Sequence, residues 1–132
     1  MTVVLDTSAV AAVVFGEADA EALLSVMVDN AGDLIISAAT RVEAGIVVEA
    51  RQGPEAASDL RTLLDRLRVA VAPVDEDQVH AAVTAWRRFG RGRHPAALNL
   101  GDCFSYALAT VSAAPLLFKG EDFRQTDVQS AL

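Results

Sequence analysis

The stretch VVLDTSAVAAVVFGE, residues 3–17, decides how the chain is read. Strand formers at 2–5, TVVL, run straight into Asp6, and a second apolar run, AVAAVVF at 9–15, begins after only Thr7 and Ser8. A carboxylate wedged between two segments that both require burial is costly unless something pairs with it. Two roles meet that condition. Asp6 caps the helix that follows, or it binds something.

The remaining 117 residues narrow the choice. The chain has 132 residues, of which 52% are hydrophobic, enough for one domain with one core. No apolar run approaches the roughly 20 residues of a membrane span, and no basic segment precedes the first apolar stretch as in a cleaved signal peptide. The single cysteine, Cys103, excludes an internal disulfide and a cysteine-based zinc cluster. These features suit a reducing, cytoplasmic setting. The net charge of −7, from 18 acidic and 11 basic residues, argues against broad binding to nucleic acid by charge alone. It does not exclude a nuclease, because metal sites are themselves built of carboxylates. Four of the eleven basic residues, Arg87, Arg88, Arg91 and Arg93, fall within seven positions, with His94 beside them.

Short Val/Leu/Ile runs alternate with longer amphipathic stretches, which predicts an α/β domain with a mostly parallel sheet flanked by helices. Strands are expected near 2–6, 34–37, 69–74 and 115–118, with a short edge strand near 127–130. Helices are expected at about 8–15, 18–30, 38–51, 55–67, 76–89 and 101–112. Ser37 is placed to cap the third helix, Gly53-Pro54 to end it, and Asp75 to cap the fifth. Pro73 implies that its strand lies at an edge or ends there. No repeat, linker or low-complexity tract divides the chain, so a single domain spanning 1–132 is expected.

Most of the acids suit solvated helix faces and caps, but four do not. Asp6 ends the first strand, where open α/β sheets bind ligands. Glu43 shares a helix face with Ala39, Ile46, Val47 and Ala50, an inward face by its composition. Asp102 opens the apolar helix of LNLGDCFSYALA, and Asp122 follows the last main strand in PLLFKGEDF. Each has an ordinary role too: a cap for Asp6 or Asp102, an ion pair with Arg41 or Arg51 for Glu43, a turn for Asp122. Brought together, the four make a pocket of like charges that cannot all stay ionised without a cation. Oxygen ligands without His or Cys select Mg²⁺ or Mn²⁺, which can activate water against a phosphodiester.

The segments VVLDTSAVAAVVFGE, RVEAGIVVEAR, LNLGDCFSYALA and LLFKGEDFRQTDV together resemble the PIN-domain ribonucleases, most closely the VapC-type toxins of bacterial toxin–antitoxin pairs. The resemblance spans nearly the whole chain in order, with the region 54–92 contributing little. It implies an α/β/α domain with metal-dependent endoribonuclease activity, hydrolysing RNA with a metal-activated water. By position it implies that Asp6 and Asp102 ligate Mg²⁺ directly, and that Glu43 and Asp122 complete the catalytic set. Ser8 matches a small hydroxyl beside the first aspartate, and Asn99 and Gly101 match the approach to the third acid. The final motif reads GED where related sequences often have GND, which adds a charge at Glu121. The resemblance further implies a homodimer and a small antitoxin that covers the acidic pocket. Apolar stretches such as DAEALLSVMV and AAVVFGEADAEALL then suit either a groove for a partner helix or ordinary core packing. The basic run RRFGRGRHP and Lys119 become candidate RNA-phosphate contacts, while Trp86 and Phe89 suit the core and His94 a loop. Two alternatives remain: a phospho-signalling receiver domain, which fits poorly because Ser37 stands where an acid is wanted, and a non-catalytic binding module.

Overall fold

The apolar run at the N-terminus forms β1 (Val3–Leu5), and its alternation sends successive side chains to opposite sides of a sheet. In the computed structural model, which describes all residues 1–132, β1 is central. It pairs in parallel with β2 (Leu34–Ser37) on one side and β4 (Leu116–Leu117) on the other. The third strand, β3 (Ala70–Ala72), pairs in parallel with β2, giving the order β3-β2-β1-β4. Pro73 directly follows the edge strand β3, where its missing N–H costs no ladder bond.

Both faces of the sheet are covered, as parallel pairing requires. Val3, Leu5, Leu34, Ile36 and Leu117 pack against α1 (Thr7–Phe15), α2 (Ala20–Asp29), α3 (Ala38–Gln52) and α4 (Pro54–Arg66). Val4, Leu116 and Phe118 pack on the other side against α5 (Glu76–Phe89) and α6 (Leu100–Ser112). The result is the expected α/β/α sandwich. No helix is long and apolar enough to cross a membrane.

Local chemistry sets the helix boundaries. Ser37 caps α3 by accepting from the Ala39 N–H, and Asp75 caps α5 by accepting from the Gln78 N–H. Gly53, at φ 85°, ends α3, and Pro54 starts α4 at its first position. Five of the six helices lie within one residue of their expected bounds, and α2 begins two residues later than expected.

Two expectations change, and one open alternative is decided. The edge strand near 127–130 reduces to a single parallel bridge between Leu116 and Ser130, so the C-terminus only touches the sheet. The inward stripe of α3 is Thr40, Ala44 and Val48, whereas Ile46, Val47 and Ala50 are exposed. Glu43 therefore sits at the flank of the helix, half-buried, and faces the end of the sheet rather than the core. The apolar helix α2 spends Leu23 and Met27 in the core, and α1 is largely buried, so neither offers a free groove.

Leu60 of α4 is fully buried in the first core cluster, while Leu100 is 76% exposed. Leu60→Ala is expected to lower unfolding free energy by about 2–5 kcal/mol, and Leu100→Ala to stay within about 0.5 kcal/mol. Urea melts of the two variants against wild type check the assignment of the core.

Candidate functional site

Asp6 leaves β1 at its carboxyl end and serves as the N-cap of α1, so one residue turns the chain from strand into helix. It is 3% exposed, and a charge so buried needs hydrogen bonds on both oxygens. Oδ2 accepts from the Ser8 hydroxyl at 2.6 Å and the Ser8 N–H at 3.0 Å. Oδ1 accepts from the hydroxyl of Ser105, at 2.5 Å from α6. Because the Ser105 proton is committed to Asp6, the 3.2 Å contact between Thr40 and Ser105 has Thr40 as donor. On the other side, the Lys119 N–H donates to Ser8 Oγ at 3.0 Å, tying the residue after Phe118 into the same network. Cap and buried anchor are thus both true of Asp6.

Glu43 approaches from α3. Its carboxylate accepts from the Thr7 hydroxyl and lies directly against Gly101, where a Cβ would overlap it. It makes no ion pair with Arg41 or Arg51. Asp102 enters from the first turn of α6, where Asn99 and Asp102 form a reciprocal capping box: Asn99 N–H to Asp102 at 3.0 Å, Asp102 N–H to Asn99 at 2.9 Å. Burial pushes the Asp102 carboxyl up to about 6, opposed by the Asn99 N–H and reinforced by the negative charges of Asp6, Glu43 and Asp122. Asp122 itself is exposed, one residue before a short 3₁₀ turn at Phe123–Gln125, and makes no cap hydrogen bond. It reaches the group through its field rather than by contact. Glu121 pairs outward with Arg124 at 3.7 Å.

Asp6, Glu43 and Asp102 line one open cleft of about 440 Å³ at the carboxyl end of the sheet, together with Ser8, Asn99, Glu17 and Lys119. A somewhat larger groove between α5 and α6 is lined mainly by Val79, Val83, Trp86, Leu98 and Phe104 and holds none of the four carboxylates. Chemistry, not size, picks the first of these. No three acids, histidines or cysteines converge into a preformed metal cage. The donor set is nevertheless all oxygen, and Mg²⁺ is held by one or two carboxylates while keeping several waters, so a closed cage is not what that ion needs.

The basic residues separate into different settings. Arg88 is consumed structurally: it pairs with Asp127 at 3.2 Å, donates to Tyr106 and lies over Phe89. Lys119 binds Glu17 at 2.8 Å and Asp19 at 3.3 Å, and the hydrogen bond to Glu17 holds its ammonium above the ordinary lysine range. Arg93 stacks on Trp86 at 4.6 Å and donates to the Arg87 carbonyl, while Arg91 borders the apolar groove. None of Arg87, Arg88, Arg91 and Arg93 lines the acidic cleft. Phe89 is core as expected, but Trp86 is 46% exposed. His94 is a loop residue, accepting from the Ala96 N–H and resting edge-on against Phe89.

Sequence reasoning missed Ser105, Thr7 and Thr40. Ser105 carried a usable signal: it stands one turn after Asp102, a lone hydroxyl on an otherwise apolar helix face.

A parallel α/β/α sandwich with carboxylates gathered at one sheet end defines the class. The chain belongs to the PIN-domain family, whose model matches residues 3–129. Its relatives carry the name VapC. Ribonuclease VapC of Mycolicibacterium smegmatis is 51% identical over 95% of this chain and 96% of its own length. Ribonuclease VapC30 of Mycobacterium tuberculosis is 46% identical over 95% of each. Among solved structures, Mycobacterium tuberculosis VapC20, described as a Sarcin-Ricin loop cleaving toxin, superposes with a TM-score of 0.78 over 96% of both chains. At 18% identity that likeness speaks for the fold alone. Membership of this family removes the receiver-domain alternative.

The raised Asp102 pKa has a stability consequence whose sign is fixed. From pH 4 to about 6 the unfolded chain has released this proton while the folded chain retains it, so folded stability falls across that window and levels above it. In metal-free buffer, Asp102→Asn is expected to remove this fall, so that the melting-temperature advantage of the variant grows from pH 4 to 6. Parallel melting curves across that range would contradict it.

Proposed function

We propose that the chain is a Mg²⁺-dependent endoribonuclease, with Mn²⁺ as a substitute, acting in the cytoplasm as the toxin of a toxin–antitoxin pair. The observation that carries the reading is the gathering of Asp6, Glu43 and Asp102 in one cleft at the carboxyl end of a parallel sheet, where burial first, and then the charges of Asp6, Glu43 and Asp122, raise the Asp102 carboxyl. Like charges held this close by buried hydroxyls and a capping box are destabilising unless a cation offsets them. The names of the relatives, ribonucleases at 43–51% identity, support the same conclusion.

In this reading Asp6 and Asp102 would hold the ion, and Glu43 and Asp122 would complete its surroundings through water. Bound there, such an ion supplies an acidified water for attack on an RNA phosphodiester and offsets the charge that develops. The chain's own contribution is orientation. Ser8 and Ser105 fix both oxygens of Asp6 where it borders the cleft, and leave acceptor capacity on Oδ1. Thr7 and Gly101 hold Glu43 from two sides, and Asn99 fixes Asp102. Arg87, Arg91 and Arg93, free of carboxylate partners, are candidate contacts for more distant RNA phosphates. Lys119 stays near the cleft but shares its charge with Glu17 and Asp19.

Partners follow from the exposed apolar side chains. Val42, Ile46 and Leu100 are 62%, 64% and 76% exposed beside the cleft, and Val79, Val83 and Trp86 line the second groove. They suit coverage by a small antitoxin and by a second copy of the chain. This is a different surface from the α1 and α2 faces that the sequence left open.

Cleavage of RNA by purified protein is expected with Mg²⁺, to be abolished by EDTA, and to be lost in Asp6→Asn while the fold is kept. Calorimetry should show the same variant losing Mg²⁺ binding. Cleavage unaffected by EDTA, or undiminished in Asp6→Asn, would sink the mechanism. Gly101→Ala displaces only the mobile end of Glu43, so cleavage should drop about 100-fold, the scale of a 1 Å misplacement, with the melting temperature within a few degrees of wild type.

A further inference from the structure

One cation in the cleft is not used by the carboxylates around it. Glu43, Val47 and Arg51 occupy successive turns of one face of α3, and all three line the cleft. Eight residues of helix carry Arg51 about 12 Å along the axis from Glu43. There its guanidinium lies over the Phe15 ring, 4.3 Å from the centroid, and Phe15 also lines the cleft. Lys119, the other cation on this wall, is committed to Glu17 and Asp19. Arg51 enters none of the protein's ion pairs, although Glu17 and Glu43 border the same space.

The chemistry of this placement is specific. A guanidinium keeps its charge at every working pH and presents five N–H donors in a planar fork that matches phosphate oxygens. A guanidinium seated over the Phe15 ring keeps N–H donors for hydrogen bonds, while the contact limits the rotamers that binding would otherwise have to freeze. The last turn of α3 tolerates the charge, because the helix dipole favours cations at its C-terminus. A cleft lined by carboxylates repels an approaching phosphodiester chain. A cation set to one side draws the strand in without pairing with the acids and cancelling their field.

We infer that Arg51, seated over the Phe15 ring, binds an RNA phosphate flanking the one to be cleaved and positions the strand across Asp6 and Asp102. This rests on the ribonuclease reading above. The contact carries no base information, so it acts alike on all RNA sequences.

Steady-state cleavage of one RNA with Mg²⁺ tests it, using the full chain as wild type, Arg51→Ala, Arg51→Lys and Phe15→Leu. Arg51→Ala should raise KM about 10- to 100-fold, the range of one charge-assisted contact, with kcat within about threefold. Arg51→Lys, which keeps the charge but loses the fork, and Phe15→Leu, which frees the guanidinium, should fall between. A second readout is fluorescence anisotropy of a short single-stranded RNA with Asp6→Asn protein over a salt series. Adding Arg51→Ala should reduce the slope of log affinity on log salt by about 0.7, the increment of one phosphate contact on a single strand. An unchanged KM and salt slope, or a loss confined to kcat, overturns the inference while leaving the ribonuclease reading intact. Absence of both cleavage and RNA binding in the protein without Arg51 substitutions overturns the ribonuclease reading itself, and with it this one.

Discussion

Asp6, bonded through both carboxylate oxygens to serine hydroxyls, is the contact around which the rest of the domain is arranged. Removing an ionised carboxylate from water costs several kcal/mol, and only hydrogen bonds of good geometry offset that. Ser8 supplies two of them from the next turn of chain, and Ser105 supplies the third from 99 residues away. Each charge-assisted bond is worth about 1.5–3 kcal/mol, so the network roughly cancels the desolvation it answers. The consequence is geometric. The end of β1, the start of α1, the first turns of α6 and the residue after Phe118 are all referred to one carboxylate, and Thr40 brings α3 into the same chain of bonds.

That arrangement then imposes strain of a different kind. Fixing Asp6 places a negative charge beside Asp102 and Glu43, whose own positions are set by a capping box and by contact with Thr7 and Gly101. None can turn away to water without breaking a bond that also holds its helix. Burial does most to raise the Asp102 carboxyl, and the charges of Asp6, Glu43 and Asp122 add to it. A protein built for stability alone would place Asn or Ser at one of these positions. Keeping several acids where they oppose one another is the mark of a site whose stability was traded for chemistry. Lys119 relieves Glu17 and Asp19 at the rim but leaves the central acids uncompensated.

Much of this was legible in the chain itself, because local rules agreed with one another. Short apolar runs alternating with amphipathic stretches pointed to parallel strands, three of them buried and β3 exposed at the edge, and Ser37, Gly53-Pro54 and Asp75 punctuated the helices where caps require. Three of the acids lining the cleft, Asp6, Glu43 and Asp102, stood out because each interrupts an apolar or backbone-critical setting. The failures have equally local causes. Residues 127–130, DVQS, hold a single apolar side chain and bridge the sheet only at Ser130, beside a β4 of just two residues. The wide apolar stripe of α3 suits a core-facing side, yet the helix is rotated to bury Thr40, Ala44 and Val48, leaving Ile46 and Val47 toward solvent.

By itself, the sequence determined the α/β alternation, the caps and the identity of the acids, because these depend on residues within a turn or two of each other. Only the tertiary structure decided which side chains meet across long separations. It joined Ser105 to Asp6, laid Glu43 on Gly101 and drew Arg88 away to Asp127 and Tyr106. It also left Asp122 acting through space rather than by contact, and set Arg51 on Phe15 beside carboxylates it does not pair with. The physical reason is that a helix can rotate or slide against a sheet without altering its own periodicity. Periodicity therefore names the faces of an element, and the packing of one element on another chooses the neighbours.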